Sequence, residues 1–408
     1  MSDEPSTSRF GAAGPALGYL AQIDYALLAT LERMDDEDAF AVSIETLDDI
    51  VFHHADSDDA TEKWQSKHTT ATRRTLSDAS GDLWKTLHNW IVEPAGPDVR
   101  LVLLATATAG ETASHLRTGQ GRDVVVAQQR LERTARESSN AANGDYYKAF
   151  LGLTAEERMA LLERVDVIDG AATVAAIEPA LERAVRKSVK AQRRVALVER
   201  LRGWWHARAI AHLDGVARGR QDRITAAEVE DRLLDIADSL RDENLPIDLL
   251  DLPQPSLEEV SADDRIFVAQ LRLVALGSER LRKCIYDHNR AFAQRSIWQR
   301  DRLLEVGELG RYDQELTEAW ERFFVPVGDE EPGMDEEAIR RLARERFAQL
   351  DQSDLAPIRR DVRQGWVARG SLHVIADRLE IGWHPKWIEH LRDRLDEARD
   401  DTSEGQAA

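Results

Sequence analysis

The chain has 408 residues, of which 42% are hydrophobic and 32% charged, enough for two or three domains with cores of their own. Its formal net charge of -21, from 54 basic and 75 acidic side chains, argues against a broad basic face for gripping nucleic acid. A single cysteine, Cys284, excludes an internal disulfide and a cysteine-based zinc site. With no apolar signal segment at the N-terminus and no run of membrane-spanning length, the expectation is a cytoplasmic protein that does not enter a membrane.

Residues 1–13 are small and polar and read as a flexible N-terminus. In "PALGYLAQIDYALLATLERM" the apolar residues Leu17, Leu20, Ile23, Leu27, Leu28 and Leu31 recur at spacings of three and four, which predicts a helix with one buried face. "FAVSIET" alternates as a strand does, "DDIVFHH" is a second β-rich run, "ADSDDAT" is a turn, and "EKWQSKHTT" reads as a third strand. The helical period returns over residues 77–92, where Trp84 and Trp90 read as core and Lys85 as a phosphate contact or a solvated charge. "DVRLVLLATATA" then predicts one buried strand. The order is helix, three strands, helix, strand, over residues 14–122.

From residue 123 to 398 the pattern predicts helices at 125–140, 154–166, 174–213, 225–243, 263–301, 310–323, 335–350 and 384–398. Pro-rich acidic segments near 245–260 and 325–335 are possible subdomain boundaries, and 399–408 reads as a flexible tail. Tryptophans at 204, 205, 383 and 387 read as core, with a partner surface as the alternative. The fold class expected is α+β: an N-terminal α/β domain followed by a large all-α region for partner docking or oligomerisation.

Within "SIETLDDIVFHHADSDDATEKWQSKHTT", Glu45, Asp48 and Asp49 precede the turn and Gln65-Ser66-Lys67 follow it. Alternation along a strand sends Gln65 and Lys67 to one face and Ser66 to the other. Pairing of the second and third strands would bring one of the two aspartates across to that face. Carboxylates and a carboxamide can hold a hard cation, and a lysine beside them can orient water or stabilise developing charge. The lysine is the more informative because the chain has only 8, against 46 arginines. Asp56, Asp58 and Asp59 fall in the turn and read as solvated charge. His53, His54 and His68 flank the same region, but without cysteines or a helical H-x-x-x-H they read as strand-end and loop histidines. "GQGR" at 119–122 lacks the strand, lysine and hydroxyl of a phosphate loop, and no G-x-S-x-G is present.

The element order and the Q-x-K triplet are similar to the PD-(D/E)xK, restriction-endonuclease-like fold. That resemblance implies Asp49 and Gln65 as metal ligands for Mg²⁺ or Mn²⁺, Glu45 and Asp48 as auxiliary ligands, and Lys67 as the residue that positions the attacking water. Where many such nucleases carry a glutamate on the first helix, this chain has Gln22. The segments "GYLAQ", "ETLDDIVFH", "WQSKH", "DLWKTL", "LRGWWHARAIAHL" and "LHVIADRLEIGWHPKW" resemble the effector subunit of bacterial ABC three-component defence systems. The likeness is to the Lamassu type, whose N-terminal endonuclease is related to those of CBASS effectors. The resemblance implies docking on an SMC-like ATPase and a small accessory subunit, cleavage of double-stranded DNA after release or homo-oligomerisation, and an anti-phage role. A catalytically inactive adaptor built on a degraded nuclease fold is the alternative.

Overall fold

The structure, a computed structural model, describes residues 13–44, 50–67, 75–171, 176–220, 222–250, 252–330 and 333–391. The chain divides into two compact units that meet in sequence at residues 237 and 238.

The first unit contains helix α1 (Ala13–Arg33), strands β1 (Phe40–Ser43), β2 (Ile50–His54), β3 (Ala60–Lys67) and β4 (Thr75–Leu76), then α2 (Gly81–Val92), β5 (Arg100–Ala105) and β6 (Thr108–Ala109). Apart from the short β4 and β6, this is the helix, three-strand, helix, strand order expected from periodicity. It continues through α3 (Glu111–Ser114), α4 (Val124–Glu137), α5 (Gly144–Gly152), α6 (Ala155–Glu163), β7 (Val165–Ile168), α7 (Glu178–Ala184), α8 (Arg194–Ala217), β8 (Ile224–Thr225) and α9 (Ala226–Ser239). The main sheet runs β7-β5-β3-β2-β1-β8; β3, β5 and β7 are mutually parallel, while β2 and β1 pair antiparallel. The region from residue 123 onward is therefore not all-α, because β7 and β8 come from it and extend the sheet at both ends. Both are too short to show a period of two, and "VDVI" follows a helix directly.

On one sheet face, Leu101, Leu103 and Ala105 of β5 pack with Val165 and Val167 of β7 against Leu83, Trp84, Leu87 and Trp90 of α2 and the apolar sides of α4, α5 and α6. Trp84 lies edge-on to Tyr147 and Phe150, and its indole N–H donates to the Asp78 carbonyl at 2.7 Å. Trp84 and Trp90 are thus core, and Lys85 is exposed. On the opposite face, Arg33 at the end of α1 lies over the rings of Phe40 and Phe52 and pairs with Glu62 of β3 at 3.1 Å. The expected helix 174–213 is broken between α7 and α8, where Arg186, Lys187 and Lys190 would stack like charges at helical spacing.

The second unit holds α10 (Leu257–Ala262), α11 (Ile266–Leu273), α12 (Ser278–Arg300), α13 (Glu308–Glu330), α14 (Glu336–Asp351), α15 (Gly365–Asp377) and α16 (Trp387–His390). One core joins Phe267 and Leu271 of α11, Leu281 and Ile285 of α12, Leu316 and Phe324 of α13, Phe347 and Leu350 of α14, and Leu372 and Ile375 of α15. The segment 325–335 therefore links two helices of one core. The expected helix 263–301 is two helices, separated where Ala275 adopts φ 54°. Helix α15 has no counterpart among the expected helices: ten of its residues, from Trp366 to Ala376, are buried, and Gly370, Ser371 and His373 interrupt their apolar spacing. Of the expected helix 384–398, α16 is the described part; residues beyond 391 lie outside the described set. No helix among the described residues is long and apolar enough to cross a membrane.

Candidate functional site

β3 is an interior strand, flanked by β2 and β5. Its parallel register sets Gln65 beside Leu103 and Lys67 beside Ala105, on the face covered by α2. Gln65 is buried, and its Oε1 accepts from Nδ2 of Asn89 on α2 at 3.1 Å. Ser66 points the other way, as alternation requires. With Lys67 at the strand end, it lines a small indentation closed by Ala21 and Tyr25 of α1 and by Leu104 and Thr106. The backbone of Lys67 accepts from the Thr106 N–H at 3.2 Å, so the ladder holds the strand to its last residue. Lys67 thus stands where the Gln65 face and the α1 indentation meet at the sheet's edge.

Glu45, Asp48 and Asp49 lie outside the described residues, as does His68. The chain re-enters the described set at Ile50, which pairs with Trp64, the neighbour of Gln65. Gln22 is buried on α1, one residue from the indentation. Among the histidines of this region, His53 has its Nε2 2.9 Å from Ser43 Oγ and its Nδ1 3.3 Å from the Asp58 carbonyl, while His54 is exposed. Burial lowers the pKa of His53, and Arg223 lowers it further. Both therefore behave as strand-end histidines. Asp58 is more than solvated charge, because its carboxylate pairs with Arg223, whose other nitrogen donates to the Ser57 carbonyl at 2.8 Å. In "GQGR", Gly119 and Gly121 have positive φ and Arg122 binds the Leu116 carbonyl at 3.0 Å and Asp166 at 2.8 Å, which makes the loop a turn anchored on β7.

The segment "LRGWWHARAIAHL" supports the same region from behind. On α8, Arg202 binds Asp24 of α1 through two nitrogens at 3.1 and 2.6 Å, and His206 Nε2 lies 2.9 Å from the same carboxylate. Trp205 is buried and donates to the Ile23 carbonyl at 2.7 Å. Burial alone would raise the pKa of Asp24; the bonds from His206 and Arg202 outweigh it and hold the carboxyl below its ordinary range. His212, fully buried, sits with Nε2 3.1 Å from the Ile44 N–H and 3.2 Å from its carbonyl, at the point where the chain leaves β1. None of these partnerships, nor Asn89 with Gln65, follows from local sequence. The cluster of Arg202, Trp205, His206 and His212 on one helix is the only hint that α8 docks by polar contacts.

The two units together define a protein that joins a mixed α/β sheet domain to a helical C-terminal domain. Residues 267–391, within the second unit, match the family model of C-terminal domain 7 of the ABC-three component (ABC-3C) systems, which supports membership in such a system. No curated protein matches the chain. Among solved structures, the chain is similar to a Moraxella osloensis Cap4 SAVED/CARF-domain containing receptor, at 12% identity and a TM-score of 0.35, over 65% of this chain and 60% of that one. It is also similar to the Acinetobacter baumannii Cap4 receptor of the same type with the cyclic trinucleotide 3'3'3'-cAAA, at 11% identity and a TM-score of 0.33, over 62% and 57% of the two chains. The chain thus spans about 60% of the length of these receptors.

Proposed function

We infer that the first unit is a Mg²⁺-dependent endonuclease of the PD-(D/E)xK type acting on double-stranded DNA, and that the protein is the effector of an ABC three-component defence complex. The observation that carries the reading is Gln65-Ser66-Lys67 on an interior strand of a helix, three-strand, helix, strand arrangement, beside the strand that Asp49 precedes in sequence. The C-terminal match to ABC-3C domain 7 supports the assignment of the complex.

The donor set suits a hard cation. Asn89 donates to Gln65 Oε1 and fixes the orientation of an amide whose oxygen is of the type that ligates such ions. Asp49, with Glu45 or Asp48, would complete the oxygen set. A bound Mg²⁺ would polarise the scissile phosphate and acidify the attacking water. Lys67 would orient that water and offset charge developing on the phosphate. Tyr25, at the indentation beside Lys67, is a candidate to limit how deeply the DNA backbone approaches.

Residues 1–150 carry 14 basic and 24 acidic side chains, a formal charge of -10, so an isolated copy should hold DNA weakly. Several copies, or the SMC-like ATPase and small accessory subunits, would supply the missing groove, and release or oligomerisation would switch cleavage on. The test is Mg²⁺-dependent cleavage of linear and plasmid DNA by the chain reconstituted with its neighbouring-gene subunits. Lys67→Ala and Asp49→Ala should each lower the rate by about 100- to 1000-fold. Cleavage unaffected by both substitutions would overturn the assignment, and no cleavage under any activating condition would favour a silent adaptor. Efficient cutting by an isolated monomer at physiological salt would refute the oligomer requirement.

A further inference from the structure

Three potential metal ligands from separate elements of the second unit meet at one point. Glu336 lies in the first turn of α14, His384 in the segment after α15, and His390 at the end of α16. Their ligand atoms all fall within 4.8 Å of one another, and Glu336 Oε1 is 3.4 Å from Nε2 of each histidine. In a tetrahedral site with metal-to-ligand bonds of 2.0 to 2.2 Å, neighbouring donor atoms stand about 3.3 to 3.6 Å apart. The two carboxylate-to-imidazole spacings already match that edge. The imidazole rings sit edge-to-face with centroids 4.9 Å apart. His384 is fully buried and His390 is exposed, so the cluster opens to solvent on one side.

The position of His384 is set by the core. Trp383 is buried, and its backbone N–H donates to Gln270 Oε1 at 3.1 Å, while Gln270 Nε2 donates to the carbonyls of Ala376 and Ile381. Trp320 Nε1 binds the Gly382 carbonyl at 3.0 Å, and Trp387 lies so close over Gly382 that a Cβ there would meet its ring at 1.9 Å. The chain between the two histidines is thus folded tightly on a glycine. Arg340 donates to Glu336 Oε1 at 3.1 Å, the same oxygen that faces the two imidazoles, and so orients the carboxylate.

We propose that Glu336, His384 and His390 bind a zinc-class divalent cation that pins the start of α14 to the segment following α15. Two imidazoles and one carboxylate select a borderline metal such as Zn²⁺ over Mg²⁺ or Ca²⁺, and three protein ligands leave a fourth position for water or a partner's side chain. His384 Nδ1 accepts the Lys386 N–H at 3.2 Å, which places the ring proton on Nε2. On loading, the lone pair of Nε2 goes to the metal, its proton transfers to Nδ1 through water, and the Lys386 contact opens. This inference does not depend on the nuclease reading.

The full chain, stripped with chelator, is titrated with Zn²⁺ by calorimetry and with Co²⁺ by visible absorption. The expected results are one equivalent of Zn²⁺, a tetrahedral Co²⁺ spectrum, and a rise in melting temperature on loading. His390→Ala, at an exposed position, and Glu336→Gln should each weaken Zn²⁺ binding by at least about tenfold, while Lys85→Ala, at an exposed position of the first unit, should leave it unchanged. Absence of a stoichiometric site in the wild-type chain, or wild-type affinity in His390→Ala and Glu336→Gln, would overturn the proposal.

Discussion

Two buried titratable sites, one in each unit, are built by opposite means. In the sheet unit Asp24 is 1% exposed and stays charged, because Arg202 and His206 reach it from α8. In the helical unit His373 is 2% exposed among Phe267, Phe347 and Trp383, and burial pushes its pKa down to about 3. His288, stacked on Phe267 at 4.4 Å, is pushed down to about 4 by burial and by the Arg265 guanidinium beside it. The first arrangement ties two helices that are far apart in sequence through a charge that must remain. The second fills a core with rings that must remain neutral.

Removing the charge should have the largest effect. Asp24→Ala leaves Arg202 and His206 facing a buried gap and should destabilise the first unit by about 3 kcal/mol, the lower end of the range for a broken buried pair because Arg202 is 27% exposed. Urea unfolding followed by tryptophan fluorescence measures it; a change under about 1 kcal/mol would mean that α1 and α8 are held by packing alone. The matching disruption in the second unit is steric. A Cβ at Gly370 would meet the Asp287 carbonyl oxygen at 2.1 Å and Ala291 Cβ at 2.6 Å, so Gly370→Ala must force α12 and α15 apart. A loss of roughly 1 to 3 kcal/mol is expected, with faster hydrogen exchange in α12 and α15 but not in β3 and β5.

Acid separates the two designs without mutation. The folded pKa values of His373 and His288 lie below the unfolded value near 6.5, so the unfolded chain binds more protons between them. Their contribution is complete above about pH 6.5 and falls as the pH drops toward 4 and 3, by up to roughly 2 kcal/mol each at pH 5. The contribution of Asp24 is present above the unfolded carboxylate value near 3.9 and is lost only as the pH falls through its still lower folded value. Hydrogen exchange at pH 7 and pH 5 should therefore show α12 and α15 loosening more than α1 and α8. There the buried His212 of α8, its pKa also lowered by burial, adds a loss of the same sign. The reverse order would contradict the assignment of charge states.

The legible parts of this chain are those whose apolar residues recur over a long enough run, even where burial is complete. Residues 21–31 of α1 and nearly all of β1 and β2 are buried, while Leu17 and Leu20, expected on the buried face of α1, are exposed. α1 and α2 show the helical period, and β1, β2 and β3 the strand period, so the element order and the Q-x-K position emerge from residues 14–122 alone. In α15, Gly370, Ser371 and His373 interrupt the apolar spacing of the buried residues, while β7 and β8 are too short to show a period. The polar partnerships were also hidden, since nothing local links Gln65 to Asn89, Asp24 to Arg202, or Glu336 to His384 and His390. In "GWHPKWIEH" the tryptophans read as core, and nothing local marks the two histidines.

Helix ends sharpen the comparison at the smallest scale. α8 ends with the Gly219 N–H on the Val216 carbonyl and the Arg220 N–H on the Gly215 carbonyl, both at 2.9 Å, with Gly219 at φ 74°. α11 ends in the same way, with the Ala275 N–H on the Arg272 carbonyl at 2.9 Å and the Leu276 N–H on the Leu271 carbonyl at 3.3 Å, but the left-handed residue is Ala275. That alanine is why 263–301 reads as one helix: the stop is present without the glycine that announces it. A Cβ in the left-handed region costs about 1 kcal/mol, against which glycine's greater freedom in the unfolded chain sets a few tenths. Gly219→Ala should therefore destabilise the first unit by roughly 0.5 to 0.8 kcal/mol, since open space around Gly219 leaves backbone strain as the only cause. Ala275→Gly should stabilise the second unit by about 0.5 kcal/mol, read as a shift in urea midpoint at constant slope. If Ala275→Gly instead destabilises, the Ala275 methyl contributes packing that outweighs the strain, and the interruption between α11 and α12 is held by side chains and not by backbone geometry.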